Sequence, residues 1–264
     1  MENLFTDNMF QEVQKYYNSH DMPRARACIE YWLKQAQNAS CWQEELTILN
    51  ELIGFYRKTG NPEKGLHVMQ RAEQIITGHE LENTEAAGTT WLNIATAYRA
   101  FGKTQQSYNY FVKTKQNYLQ QMEPFDYRMA SLHNNMALLF LDIGYLGKAK
   151  EEFEQAVEIL QTDPESEAEL VTTYINLLVL VYKIPLPESQ KQLALHSLID
   201  KTIALLAKYT DLPDSYYAYV CDICAKTIIS LGFSREAEIL TQLSERFYHT
   251  HAVENPTTKG GQSA

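Results

Sequence analysis

Three asparagines, Asn93, Asn135 and Asn176, recur with separations of 42 and 41 residues. A primary amide carries both donors and an acceptor. A row of them at equivalent places can therefore bind the N–H and C=O groups of an extended peptide. Residues near them in sequence enlarge the candidate set: Asn50 and Glu51 one period earlier, then Asn134, Arg57, Arg99, Asp142 and Lys183. The cations among these suit acidic groups on a ligand. The same amides also suit a second role, capping or bridging adjacent helices, and spacing leaves both roles open.

Nothing nucleophilic, acidic and basic converges in comparable fashion. Gly102-Lys103-Thr104 has the end of a phosphate-binding loop, but Ala97 stands where that loop's first glycine belongs and no strand precedes it. Cys221-x-x-Cys224 has metal or redox spacing, yet both fall at packing positions of a helix, with no second Cys or His pair at ligand spacing. They are expected to be buried structural cysteines. His249-x-His251 supplies two ligands without a third, and His133 occupies a packing column. Glu44-Glu45 and Glu151-Glu152 are adjacent pairs that diverge around a helix, so they cannot flank one bond and are expected on solvated faces. No nucleophile elbow, zincin or dinucleotide fingerprint occurs. The expectation is a protein that is not an enzyme and uses no cofactor or metal.

Composition narrows the partners. The 264 residues carry 33 acidic against 23 basic side chains, a formal charge of −10. A phosphate backbone is repelled on average and no run rich in Lys and Arg makes an exception, so direct nucleic-acid binding is not expected. The longest apolar stretches, such as 177–181, fall far short of the roughly 20 residues of a membrane helix. The start, Met1-Glu2-Asn3-Leu4, lacks both a basic opening and an apolar signal core. Four cysteines make no disulfide framework. The expected setting is a reducing cytoplasm, away from membranes.

The elements that must position the asparagines emerge from self-similarity. Gly60, Gly102 and Gly144 are spaced by 42 and 42, and an aromatic residue stands four places before each: Tyr56, Tyr98 and Phe140. Met69, Phe111 and Phe153 keep the same spacing, as do Ala72, Thr114 and Ala156. Every apolar segment has helical rather than strand periodicity. The repeating unit reads Trp91-x-x-Ile94-Ala95-x-x-Tyr98, Gly102, Phe111, then His133-x-x-Met136-Ala137-x-x-Phe140, Gly144, Ala149, Phe153, Ala156 and Pro164. Small residues at Ala95 and Ala137 let paired helices approach, and the aromatics fill the gaps. Weaker copies lie on both sides. One has Leu49, Leu52, Tyr56 and Ala72; another has Cys221, Cys224, Ala225, Gly232, Ala237 and Leu240. A first, degenerate unit turns at 19–23, and a distorted one carries the enlarged turn Ile184-Pro185-Leu186-Pro187.

This pattern resembles the tetratricopeptide repeat. The 42-residue period exceeds the usual 34 of that class, and the form with Leu132-His133-Asn134-Asn135-Met136-Ala137 is similar to repeats of kinesin light chains. It is also similar to the helical domains of Gram-positive receptors for peptide pheromones, without the output module that usually precedes them. The resemblance covers about residues 9–248. It implies an all-α fold, a right-handed superhelical solenoid of about six helix-turn-helix repeats whose first helices line the concave side. One repeat domain is expected over 1–254, with units near 6–40, 46–80, 88–121, 130–163, 171–210 and 218–249. A disordered tail is expected over 255–264.

In the resembling families asparagines at this place hold a ligand's main chain, a role carried to Asn93, Asn135 and Asn176. The expected function is a non-catalytic scaffold that binds a protein or peptide in its groove. Arg57, Arg99 and Lys183 meet acidic groups there, beside Asn134 and Glu51. Two alternatives stand next to it. One is a peptide-sensing regulator hinged at Pro185 and Pro187. The other is an assembly subunit, such as a homodimer, paired through Phe5, Met9 and Phe10 or Phe247 and Tyr248. Seventeen tyrosines are expected largely as inter-helix packing, Tyr56, Tyr98 and Tyr182 among them.

Overall fold

A computed structural model describes residues 4–123, 125–209 and 215–252. Among them are twelve α-helices and no strand, paired into six hairpins. Contacts divide the chain into two compact units, Met1–Pro124 and Phe125–Ala264. The first holds α1 (Leu4–Asn18), α2 (Met22–Asn38), α3 (Trp42–Lys58), α4 (Pro62–Gly78), α5 (Glu85–Ala100) and α6 (Thr104–Gln121). The second holds α7 (Tyr127–Asp142), α8 (Leu146–Leu160), α9 (Glu167–Lys183), α10 (Glu188–Leu206), α11 (Ser215–Ser230) and α12 (Ser234–Ala252). Short 3-10 turns at Pro164–Ser166 and Ala207–Tyr209 lead into α9 and out of α10. The tail expected over 255–264 lies outside the described residues, as do the side chains of Tyr216, Tyr219, Phe247, Tyr248, His249 and His251.

One backbone device closes most hairpins. Gly60, Gly102, Gly144 and Gly232 have φ of +65°, +70°, +79° and +94°, a region that costs other residues because their Cβ crowds the carbonyl. The amide after each glycine returns to a carbonyl five residues back: Asn61 to Tyr56 at 2.9 Å, Lys103 to Tyr98 at 2.8 Å, Tyr145 to Phe140 at 2.8 Å and Phe233 to Ile228 at 3.1 Å. The periodic aromatic is thus the residue whose carbonyl closes the turn. In the first hairpin His20 takes the same conformation at φ 57°, and Asp21 then accepts the Arg24 amide to cap α2. The α9–α10 connection instead runs through extended backbone at Ile184 and Pro187.

Within each unit first helices pack on first helices (α1–α3–α5 and α7–α9–α11), and α2, α4 and α8 pack on the first helix that follows them. This arrangement follows from the apolar stripe of each helix. On α3 that stripe is Leu46, Leu49, Leu52, Ile53 and Tyr56, all buried beside Met69, Ala72 and Ile76 of α4. In the second unit Val171, Ile175 and Leu178 of α9 join Leu195 and Ile199 of α10 and Cys221, Cys224 and Ile228 of α11. Ala95 and Ala137 are fully buried, the close-approach points their size implies. At Ala95 the Ser107 hydroxyl of α6 donates to its carbonyl at 2.8 Å. Gly88 serves the same end on α5, since an added Cβ would collide with the Asn117 amide and the Tyr118 ring. No described helix is long and apolar enough to cross a membrane.

Candidate functional site

In the first unit the candidate residues form a polar belt along α3 and α5. Asn50 and Arg57 lie two turns apart beside the buried stripe of α3, and Asn93 lies one turn before Thr96 on α5. The Asn93 amide donates to Asn50 Oδ1 at 2.9 Å, and Asn50 Nδ2 donates to the Thr90 hydroxyl at 2.9 Å. Further along, Arg57 Nη1 donates to the Thr96 hydroxyl at 2.9 Å, and that hydroxyl donates to the Asn93 carbonyl. Glu51 accepts the Tyr17 phenol from α1 at 2.7 Å. Burial, and then that bond to a carboxylate, hold the phenol above its ordinary proton affinity.

Arg57 is the electrostatically incomplete member. The residue is exposed at the surface, yet its guanidinium meets protein atoms rather than a counter-ion. Burial first, and then the like charge of Arg99, lower its proton affinity, while Glu51 opposes them. Among the described residues no carboxylate forms an ion pair with it. Two guanidinium groups near each other, one of them with only a hydroxyl partner, favour an anion between or beside them.

In the second unit Asn176 of α9 donates to Asn134 Oδ1 of α7 at 3.0 Å. Asn135 donates to Ser131 O of its own helix at 2.9 Å. Lys183 ends α9 and is exposed. Asp142 ends α7, also exposed. The Asn93, Asn135 and Asn176 side-chain oxygens accept no hydrogen bond from any described residue, and the Asn134 amide group donates none. The helix-bridging role is present at two of the three positions. Asn93 and Asn176 bridge neighbouring first helices, and each still carries an unused acceptor.

The belt includes two residues the sequence analysis passed over, the hydroxyls of Thr90 and Thr96. For Thr90 a signal was present in the echo between Thr89-Thr90-Trp91-Leu92-Asn93 and Thr172-Thr173-Tyr174-Ile175-Asn176, whereas Thr96, opposite Val179, had none.

Several other expectations need correction. Of the adjacent glutamates only Glu151 lies on a solvated face. Glu44 accepts the Phe5 and Thr6 amides at 2.6 and 2.9 Å, satisfying the open N-terminal donors of α1. Glu45 is 4% exposed and takes a two-pronged bond from Arg71 at 2.8 and 2.9 Å plus one from Gln37. Burial alone would raise its pKa, but those donors outweigh it and the net direction is down. Glu152 lies 2.6 Å from His133 Nδ1. Tyr182 is 53% exposed rather than packed between helices. At the first end Met9 is fully buried and Phe5 packs on Trp32 with ring centroids 6.3 Å apart, so of that apolar trio only Phe10 faces out.

Two further motifs fall as expected. Gly102-Lys103-Thr104 is the α5–α6 turn. Cys221 and Cys224 are buried free thiols, with burial as the chief cause that pushes Cys221 up to about 11 and Cys224 higher. Among the described residues no three His, Cys, Asp or Glu side chains are placed to hold a metal ion.

Comparison with known proteins agrees with this architecture. A family profile described as "Tetratricopeptide repeat" matches residues 130–160, the α7–α8 hairpin. No curated protein matches the chain in sequence. Among solved structures, BtubC (BKLC) from P. vanneervenii superposes with a TM-score of 0.62 at 14% identity, covering 92% of this chain and 97% of that one. A kinesin light chain from Podosopora anserina with nearly identical TPR-like repeats has a TM-score of 0.51 at 17% identity, covering 78% of this chain and 96% of its own. At these identities the likeness establishes the fold, and it does so for the stacked hairpins of both units.

Proposed function

We propose that this chain, whose α7–α8 hairpin matches a tetratricopeptide-repeat profile and whose fold is that of a repeat solenoid, is a non-catalytic interaction scaffold holding an extended peptide on its first helices. The ligand is a free peptide or a segment of a partner protein. Asn93, Asn135 and Asn176 meet its main chain through their unused oxygens, and Asn134 offers it a donor. Arg57, with Arg99 beside it, takes an acidic group, and Lys183 meets a second one. Glu51 orients the belt through Tyr17. The expected compartment is a reducing cytoplasm, where the four thiols stay free.

The observation that carries this reading is the Arg57 guanidinium, bonded to the Thr96 hydroxyl and in no ion pair among the described residues. A carboxylate on a ligand would add a charge-assisted bond that the Thr96 hydroxyl does not supply. Main-chain recognition by amides tolerates many sequences, so the acidic contact supplies part of the selectivity.

The test selects dodecapeptides from a random displayed library on the wild-type protein and measures their affinity for variants. Enriched peptides should contain Asp or Glu. Arg57→Gln should weaken them at least tenfold, which corresponds to about 1.4 kcal/mol. Asn135→Ala should weaken them severalfold with no change in melting temperature. Peptides that bind both variants as tightly as wild type would remove the belt from the binding site.

A further inference from the structure

Away from the asparagines, the second unit has a cleft of about 360 Å³ where the end of α8 meets the first half of α9 and the second half of α10. Its floor is Leu160, Leu170, Leu205 and the Tyr174 ring. Tyr174 and Asn176 are two residues apart on α9, so they project about 200° apart around the helix. The cleft therefore belongs to a different helix face from the asparagine.

Its rim is polar and positively biased. Lys201 of α10 and Lys208 of the 3-10 turn that follows it stand seven residues apart, about two turns or roughly 10 Å along the axis. Lys208 contacts Glu167 at 3.2 Å, but that lysine is 61% exposed, so the pair is weak and open to exchange. Lys201 Nζ lies 5.8 Å from the Tyr174 ring centroid and has no carboxylate partner among the described residues. Two ammonium groups against one carboxylate leave a net positive charge over an apolar floor, in a protein whose formal charge is −10. The Tyr174 hydroxyl accepts from Gln161 at 2.9 Å, so the polar end of that ring is engaged by the α8 end, and Leu160, Leu170 and Leu205 present only carbon. The floor therefore asks for hydrocarbon rather than another polar group.

We propose that this cleft binds a small amphipathic anion, an acyl chain of about ten carbons whose carboxylate sits between Lys201 and Lys208. The volume matches the class. At about 30 Å³ per heavy atom, taking the share of a liquid water, it holds roughly a dozen heavy atoms. The size is at the lower end of small-molecule sites. Charge matches as well, since the rim attracts an anion and repels a cation. A macromolecule is the poorer occupant because the rim residues Gln161, Glu167, Lys201 and Lys208 give it no apolar surround.

The experiment is calorimetric titration of the full chain with decanoate, below its micellar concentration, alongside hexanoate, octanoate, dodecanoate and decylammonium. Expected is saturable binding of one decanoate, gaining about fourfold per methylene up to ten carbons and levelling beyond. Decylammonium should not bind. Lys201→Glu with Lys208→Glu should weaken decanoate at least tenfold. Ala204→Trp, at an exposed position lining the cleft, should abolish binding by filling it. Both variants should keep the wild-type circular dichroism and peptide binding. Uptake that does not saturate, equal affinity in either variant, or equal affinity for decylammonium would overturn the site.

Discussion

The first helices of the two units are held together differently. In the first unit polar side chains reach across neighbouring hairpins repeatedly. Tyr17 bonds Glu51, Tyr56 bonds Glu30, Asn93 bonds Asn50, Asn50 bonds Thr90 and Arg57 bonds Thr96. Around α9 in the second unit, contacts are mainly apolar, through Val171, Ile175, Leu178, Cys221, Cys224 and Ile228, with Asn176–Asn134 as a cross-hairpin bridge. The repeat fixes the apolar schedule, and polar bridges add directional contacts that fix register. Dispersion and burial are nearly indifferent to a small slide of one helix on another, whereas a 2.9 Å amide bond is not.

The shared schedule gives the largest expected effects. Phe111 and Phe153 occupy the same column 42 residues apart, and both are fully buried. Truncation to alanine should cost about 4 kcal/mol in each case, through lost burial and the cavity left behind. Urea melts measure the cost. Hydrogen exchange read by segment should place the loss in α5–α6 for Phe111→Ala and in α7–α8 for Phe153→Ala. A much smaller cost in one unit would break the equivalence.

A smaller effect sharpens the contrast. Glu45 stands in a buried column filled elsewhere by Ala87, Met129 and Val171, so the first unit alone carries a carboxylate there. Glu45→Gln should lose about 2 kcal/mol at neutral pH, because charge-assisted bonds to Arg71 become neutral ones. The folded carboxyl titrates below the unfolded one. Its contribution is therefore whole above the unfolded value of about 4.3 and vanishes as pH falls through the folded one. Stability of the two proteins measured from pH 7 to pH 2 should converge only at the acid end.

Much of this was legible in the residues, and the misses have a physical pattern. Glycines four places after an aromatic located the turns because left-handed backbone selects glycine. The turn without glycine was found from Ser19-His20-Asp21-Met22-Pro23, through its proline and capping aspartate. Glu45 was misread although its column was visible. Residue type was allowed to overrule position, and the partner that makes burial tolerable, Arg71, lies on another helix. Glu44 gave no periodic signal, since it serves the open end of α1, a feature that occurs once. Tyr182 was assigned to packing, but it stands one residue before the end of α9, ahead of the turn through Pro185 and Pro187, where Lys191 lies over its ring. The asparagines were found by period, but period does not tell which atom of an amide is used.

That last distinction gives the smallest and most discriminating prediction. Asn93→Ala removes the donor to Asn50, and Asn176→Ala removes the donor to Asn134, each leaving a half-buried carbonyl oxygen without that bond. Each should cost about 1 kcal/mol. Asn135 bonds only its own helix, at Ser131 O, a contact that competes with helical geometry rather than joining two helices. Alanine there should change stability by less than about 0.5 kcal/mol, with its better helix propensity offsetting the lost bond. Urea midpoints for the three single variants, with unchanged slopes, decide the matter. A cost at Asn135 equal to that at Asn93 would make all three asparagines architectural. A silent Asn135 leaves a half-buried amide on a first helix with no structural duty, the condition a ligand-facing residue has to meet.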